Sequence, residues 1–343
     1  LAVVLFNLGG PDSLAAVKPF LRNLFRDPAI IRSPALMRKA LAWLISELRT
    51  KSAKTNYGKM GGYSPLLPET LKQAEALTAQ LMANYPDREV RVFTAMRYWH
   101  PFIEETADDV AKWEPDEVVL LPLYPQYSTT TTASSFKAWD EFSQLKSMRI
   151  CCYPTQPDFL RAHAGLIREA WNCADRPDQV RVLFSAHGLP EKIANSGDPY
   201  TRQIEQTAAG VAALLTDLED WQICYQSRVG PTKWIGPSTE SAIIDAARDD
   251  KHVLLVPIAF VSEHVETLVE LDEEYALLAS KQGVRGYTRV PALGCNTDFI
   301  KCLSSLAALA LDCRDEKKPS ACQTMSFENC SECPCKPDQE TDT

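Results

Sequence analysis

Lys251–Tyr275, KHVLLVPIAFVSEHVETLVELDEEY, is the stretch whose pattern decides the fold. Val253 to Val256 is an unbroken apolar run ending at Pro257, the pattern of a strand covered on both faces. Ile258 to Val261 carry it to a turn, where Ser262 is placed to cap a helix. Glu263, Glu266, Glu270 and Glu274 follow at spacings of three, four and four, which puts four carboxylates along one helical face. His264 lies beside the first of them, and no lysine falls between Lys251 and Lys281 to relieve the charge. Like charges on successive turns cost a helix a few tenths of a kcal/mol (roughly 0.2–0.5) per pair. Such a helix at the end of a buried strand points to an open α/β sheet, in which ligands occupy the crevice outside the strand carboxyl ends. Carboxylates in a row beside an imidazole suit a loosely held divalent cation or groups that accept protons; a solvated acidic face is the plainer alternative.

The same pattern occurs twice. Val180 to Phe184 (VRVLF) runs into Ser185-Ala186-His187-Gly188-Leu189-Pro190, as Val3 to Phe6 (VVLF) runs into Asn7-Leu8-Gly9-Gly10-Pro11. HVLLVPIAF likewise parallels EVVLLPLYP at Glu117–Pro125. The expectation is two similar α/β halves, each a parallel sheet of buried strands followed by ligand loops and helices, with a cleft between them. The boundaries read as residues 1–150 for the first half with a covering lip, 151–311 for the second, and 312–343 for a polar, cysteine-rich tail.

Composition narrows the partners. Apolar residues make up 45% and charged residues 24%, as in ordinary globular chains. A net charge of -9 leaves no basic stripe for a nucleic acid. No apolar run is long enough to span a bilayer, and the opening residues carry no signal-peptide pattern. Eleven cysteines without that signal point to thiols or metal ligands in a reducing compartment, with the cytosol as the expected location. Nothing in the sequence decides between monomer and homodimer.

Along the chain, residues 14–50 read as helical segments interrupted at Pro19, Pro28 and Pro34. Ala29–Ile45 is apolar and basic without one acidic residue, which suits either core packing or an exposed lip meeting a membrane surface or a flat apolar ligand. Tyr57–Pro65 (YGKMGGYSP) reads as a covering loop. Arg97 and Tyr98 sit at a strand end among aromatics, a setting for an anionic aromatic ligand or for a buried ion pair. In the tail, Cys322, Cys330, Cys333 and Cys335 are spaced C-x7-C-x2-C-x-C, four thiols that could tie an iron–sulfur cluster or a zinc ion. Cys151 and Cys152 could supply an alternative ligand. There is no nucleophile elbow, HExxH or phosphate loop, which removes the commonest hydrolase and nucleotide readings.

NLGGP, MRYWHP, LYPQYS, FSAHGLP, YQSRVGP and PIAFVSEHVETLVELD together resemble the ferrochelatase family, from the first strand to about residue 311. The resemblance implies flavodoxin-like halves with four-stranded parallel sheets, porphyrin in the cleft, and insertion of Fe²⁺ into protoporphyrin IX to make haem. It places the family's invariant histidine on His187 and its cleft glutamate on Glu266, with His264 and Glu270 as their companions and with His187 and Glu266 meeting the substrate iron. Arg97 and Tyr98 match a pair on the opposite side of the pocket, and Trp234 a pocket tryptophan. Leu8, Arg49, Tyr57 and Ser64 resemble positions near the porphyrin or its propionates. The tail resembles the cysteine segment that binds a [2Fe–2S] cluster in some members, although the loop YSTTTTASS lacks the internal cysteine of several of them. The expected chemistry has His187 accepting pyrrole protons, with Glu266 and His264 facing it across the macrocycle and Glu270 and Glu274 forming a hydrated ridge for protons or iron. A coproporphyrin ferrochelatase, a cobalt or nickel chelatase, and a non-catalytic haem- or iron-binding protein are the competing expectations. The apolar lip adds an expected contact with the inner membrane.

Overall fold

Parallel strands buried on both faces need a helix on each crossover, and the chain alternates accordingly. The computed structural model describes residues 1–227 and 232–312. The first half contains β1 (Ala2–Asn7), α1 (Val17–Arg26), α2 (Ala35–Lys59), α3 (Leu66–Asn84), β2 (Arg91–Met96), α4 (Ile103–Lys112), β3 (Val118–Pro122), α5 (Thr132–Phe142) and β4 (Met148–Arg149). After α6 (Pro157–Cys173) come β5 (Val180–His187), α7 (Glu191–Ala194), α8 (Tyr200–Ala213), β6 (Trp221–Gln226), α9 (Thr239–Arg248) and β7 (His252–Pro257). A π-helix (Glu266–Tyr275), α10 (Ala276–Gln282), β8 (Gly286–Arg289) and α11 (Thr297–Asp312) complete the described chain.

The repeat seen in the sequence is a repeat of topology. One four-stranded parallel sheet has the order β2-β1-β3-β4 and the other β6-β5-β7-β8. Register makes the correspondence residue by residue: Phe6 pairs with the terminal Pro122 of β3, and Ser185 with the terminal Pro257 of β7. Counting onward two residues from each, Leu8 in the first half stands where His187 stands in the second.

The core is not cut where the sequence suggests a boundary. Phe299, Leu303, Leu306 and Ala307 of α11 pack with Val3, Leu5, Val119 and Leu121 of the first sheet, although they follow the whole second half in the chain. Helix α6 lies between, giving Phe159 and Ala162 to the first core and Ala164 and Ile167 to the second. The two sheets are thereby tied to one another through α6, which both cores share, and through the return of α11 to the first.

Two local expectations change. Pro19 does not interrupt α1, because it is the third residue of the helix, where the missing N–H would have had no acceptor. Helix α2 runs unbroken to Lys59, so Tyr57 is a buried helical residue and only residues 60–65 form the turn. Gly61 and Gly62 both take positive φ there, near +90°, which L side chains rarely adopt.

Candidate active site

His187 is the last residue of β5 and so stands at the carboxyl rim of the second sheet. The following residue must be glycine, since a Cβ on Gly188 would lie 2.8 Å from the Gln226 carbonyl and 3.1 Å from the Trp234 ring. That close approach seats Trp234 beside the rim. The His187 side chain remains 42% exposed. Its Nδ1 lies 2.9 Å from Oε2 of Glu266, the first residue of the π-helix, and its backbone carbonyl accepts a hydrogen bond from the Tyr200 hydroxyl at 3.1 Å.

Glu266 is held between two imidazoles, with Nε2 of His264 at 3.6 Å from the same oxygen. His264 is buried, its ring against Phe260 with centroids 4.6 Å apart. Four residues on, Glu270 accepts from the Ser227 N–H (2.8 Å), the Ser227 hydroxyl (2.5 Å), Gln226 Nε2 (3.3 Å) and the Tyr275 hydroxyl (2.8 Å). Ser227 has a φ of +64°, a left-handed conformation that costs a non-glycine residue about 1–3 kcal/mol and persists only where its surroundings enforce it. Glu270 enforces it by binding both the N–H and the hydroxyl.

These contacts bias the charges. Burial opposes a charged His187, but the Glu266 carboxylate and, behind it, Glu270 outweigh burial and raise the imidazole above its ordinary value. Burial would raise Glu266, yet His187 and His264 draw it well below the usual carboxylate range. Glu270 moves the other way: burial first, then the charge on Glu266, push its carboxyl up. One site thus holds an imidazole that gains protons readily, a carboxylate that stays ionised, and a second carboxylate shifted towards protonation.

The ferrochelatase family model matches residues 1–311. The chain belongs to the ferrochelatase family. A ferrochelatase of Caulobacter vibrioides is 56% identical over 338 residues, covering 98% of this chain and 97% of the relative. One of Phenylobacterium zucineum is 58% identical over 314 residues, 91% and 92% of the two chains. Among solved structures, SirB from Bacillus subtilis with Fe3+ has the same fold, with a TM-score of 0.52 at 12% identity over 90% of this chain and 94% of that one.

The geometry corrects three expectations drawn from the sequence. His187 and Glu266 do not face each other across a macrocycle; at 2.9 Å they share a hydrogen bond, and no ring fits between them. The acidic stripe is divided. Glu263 precedes the helix and is drawn to Arg289 at 2.5 Å, while Glu274 is exposed, so only Glu266 and Glu270 belong to the site. Ser262 caps nothing in the π-helix, which begins at Glu266 after Val265; its hydroxyl donates to Gln73 instead.

Helices α1 and α2 pack beside the entry to the π-helix. Tyr57, Tyr98, Val17, Phe20 and Leu21 form a small core against which Leu8 and Val265 pack, bringing the lip to the start of the π-helix. Lys59, the last residue of α2, reaches Glu273 at 2.5 Å. Arg97 takes the ion-pair alternative: Nη2 lies 2.9 Å from Asp27, Nε donates to Ser134 at 2.7 Å, and the guanidinium lies 5.2 Å from the Tyr98 ring. The Tyr98 hydroxyl donates to the same Asp27 oxygen. Ser64 is buried against Gly10 and donates its N–H to the Pro11 carbonyl, a role in the loop and not on an open surface. Arg49 is exposed on α2. Cys322, Cys330, Cys333 and Cys335 lie outside the described residues. Cys151 and Cys152 sit together, sulfurs 3.4 Å apart.

Sequence reasoning left out Gln226, Ser227, Tyr200 and Tyr275. The first two could have been found, because β6 neighbours β5 and ends at the same rim; the two tyrosines carry no comparable signal. If Glu266 holds the His187 proton, replacing Glu266 by Gln lowers the imidazole pKa, and the acid limb of the rate profile moves to lower pH because the neutral base then persists further down. Ring-proton NMR titration of His187 checks this, and an unmoved midpoint contradicts it.

Proposed function

We propose that this chain inserts Fe²⁺ into protoporphyrin IX to form protohaem, the last step of haem biosynthesis. The observation that carries this reading is the His187–Glu266 pair at the carboxyl rim, backed by Glu270 and faced by an apolar lip. Metallation exchanges two pyrrole N–H protons for one dication, so the site must take protons from the ring while iron sheds water. With Nδ1 hydrogen-bonded to Glu266, the imidazole has Nε2 left to accept a pyrrole proton, and the ionised Glu266 stabilises the imidazolium that results. Iron is the substrate here, and the hard carboxylate oxygens of the helix suit its passage. Glu270, whose carboxyl is shifted towards protonation, is the group placed to carry a proton onward once a Ser227 or Tyr275 donor lets go.

Two finer assignments belong to the same reading. The solvent face of α2 exposes Leu36 (84%), Met37, Trp43, Leu44 and Leu48 (73%) in a segment rich in lysine and arginine, the combination that lies on an anionic bilayer and admits a greasy ring. No described helix is long and apolar enough to cross a membrane. In the tail, Cys322, Cys330, Cys333 and Cys335 offer four soft thiolates within a short segment, a donor set that suits a [2Fe–2S] cluster, whose chemistry is one-electron exchange. Cys151 and Cys152, with Gln203 donating to the second sulfur at 3.4 Å, are already engaged with their own surroundings.

Four experiments bear on this. His187→Ala should reduce metal insertion to background while porphyrin fluorescence titration still shows binding; multiple turnovers by that variant would defeat the assignment, and a wild-type chain that binds one ring and stops is a carrier. Running the wild type with coproporphyrin in parallel tests the ring, since a higher kcat/KM there overturns protoporphyrin as substrate. Visible absorption of the purified chain should disappear in Cys333→Ser and survive in Cys151→Ser; colour retained in the first variant refutes a tail-bound cluster. Leu36→Glu with Leu48→Glu should lower co-sedimentation with anionic vesicles, and equal sedimentation of variant and wild type would remove the membrane contact.

A further inference from the structure

A π-helix of ten residues is unusual. The i→i+5 pattern is rare, and where it occurs it is mostly a single-turn bulge at a functional site. Glu and Leu, both good α-helix formers, make up most of the segment ETLVELDEEY, so its own propensities give no reason for the wider coil. The contacts of the site nevertheless depend on it. In an α-helix, five residues overshoot a full turn by about 140°, which would carry Tyr275 away from Glu270; here the Tyr275 hydroxyl lies 2.8 Å from Glu270. Something outside the segment must therefore select the register.

The supports come from the neighbouring edge strand. Tyr287 and Arg289 are two residues apart on β8 and so project from one face of it. The Tyr287 hydroxyl donates to the backbone carbonyl of Leu271, in the middle of the π-helix, at 2.6 Å. Arg289 grips Asp272, the next residue, through Nε (2.6 Å) and Nη2 (2.7 Å), and its Nη1 holds Glu263, just ahead of the helix, at 2.5 Å. Glu263 is anchored in turn by the Ala292 N–H at 2.9 Å. A planar guanidinium that is only 13% exposed thus fixes the distance between the entry to the helix and its centre.

We propose that Tyr287 and Arg289 are positioning residues that hold Glu266–Tyr275 in its π register and thereby set Glu266 against His187 and Glu270 against Ser227. Neither residue touches the reacting atoms. The activity readout rests on the metal-insertion reading, but the register readout does not.

The test uses the full chain with Tyr287→Phe, which removes one hydroxyl, and Arg289→Gln. Hydrogen exchange of the amides in 266–275 should quicken about tenfold or more in both, and kcat for Zn²⁺ or Fe²⁺ insertion should fall by a similar factor with the porphyrin KM unchanged. Placed in a Glu266→Gln background, either substitution should cost less than it does alone, because one of the two residues it acts through is already gone. Unchanged exchange, unchanged kcat, a rise in KM in place of a fall in kcat, or full additivity with Glu266→Gln would each overturn the proposal. Should the wild type fail to metallate any porphyrin, the functional reading falls while exchange still decides the role of β8; should Arg289→Gln not fold, Tyr287→Phe carries the test alone.

Discussion

Two carboxylates one turn apart in a half-closed cleft repel each other, and the second half of the molecule is arranged around that repulsion. In water the pair would cost little. Under partial burial the cost rises steeply unless each charge is compensated. Glu266 is compensated by the imidazole of His187 at 2.9 Å, with that of His264 at 3.6 Å on its other side. Glu270 is compensated by dipoles, with four donors on its two oxygens. The two solutions differ in what they leave available. An ion pair with an imidazole can shuttle a proton, whereas a carboxylate saturated by hydroxyls and an amide is fixed in place until one donor moves.

The internal repeat supplies a division of labour. Leu8 and His187 occupy corresponding positions after β1 and β5, yet one is packed among Val17, Tyr57 and Tyr98 and the other is paired with a glutamate. The first half gives the cleft an apolar wall and the second gives it charge, which suits a ligand that is greasy at its rim and polar at its centre. Helix α6, which buries side chains in both cores, and α11, which returns from the second half to the first core, hold the two halves together.

Much of this was legible from the chain alone, for physical reasons that can be named. Strands buried on both faces must be apolar at every position, so β1, β3, β5 and β7 announce themselves, and their repetition gives the two sheets. Glu266 and Glu270 could be placed on one face because a spacing of four aligns them in either kind of helix. Glu263 could not be excluded from the stripe, because its partner Arg289 is 26 residues away and only the β7–β8 pairing brings it near. The ion pair of Arg97 depends likewise on Asp27, and the return of α11 to the first sheet on packing that no local pattern encodes.

The least legible feature is the register of the acidic helix, and it is also the one from which the direct His187–Glu266 contact follows. Local sequence favours an α-helix, in which Tyr275 would leave Glu270. The observed coil is then a conflict between local preference and tertiary contact, resolved in favour of the contact, which is where functional sites are expected to depart from local rules. The lip takes part in the same resolution: Val265 packs against its small core at the entry to the helix, and Lys59 reaches Glu273 near its end. A helix held at its entry and end by the lip and at its middle by β8 has little freedom to rewind, and so Glu266 stays on the Nδ1 side of His187.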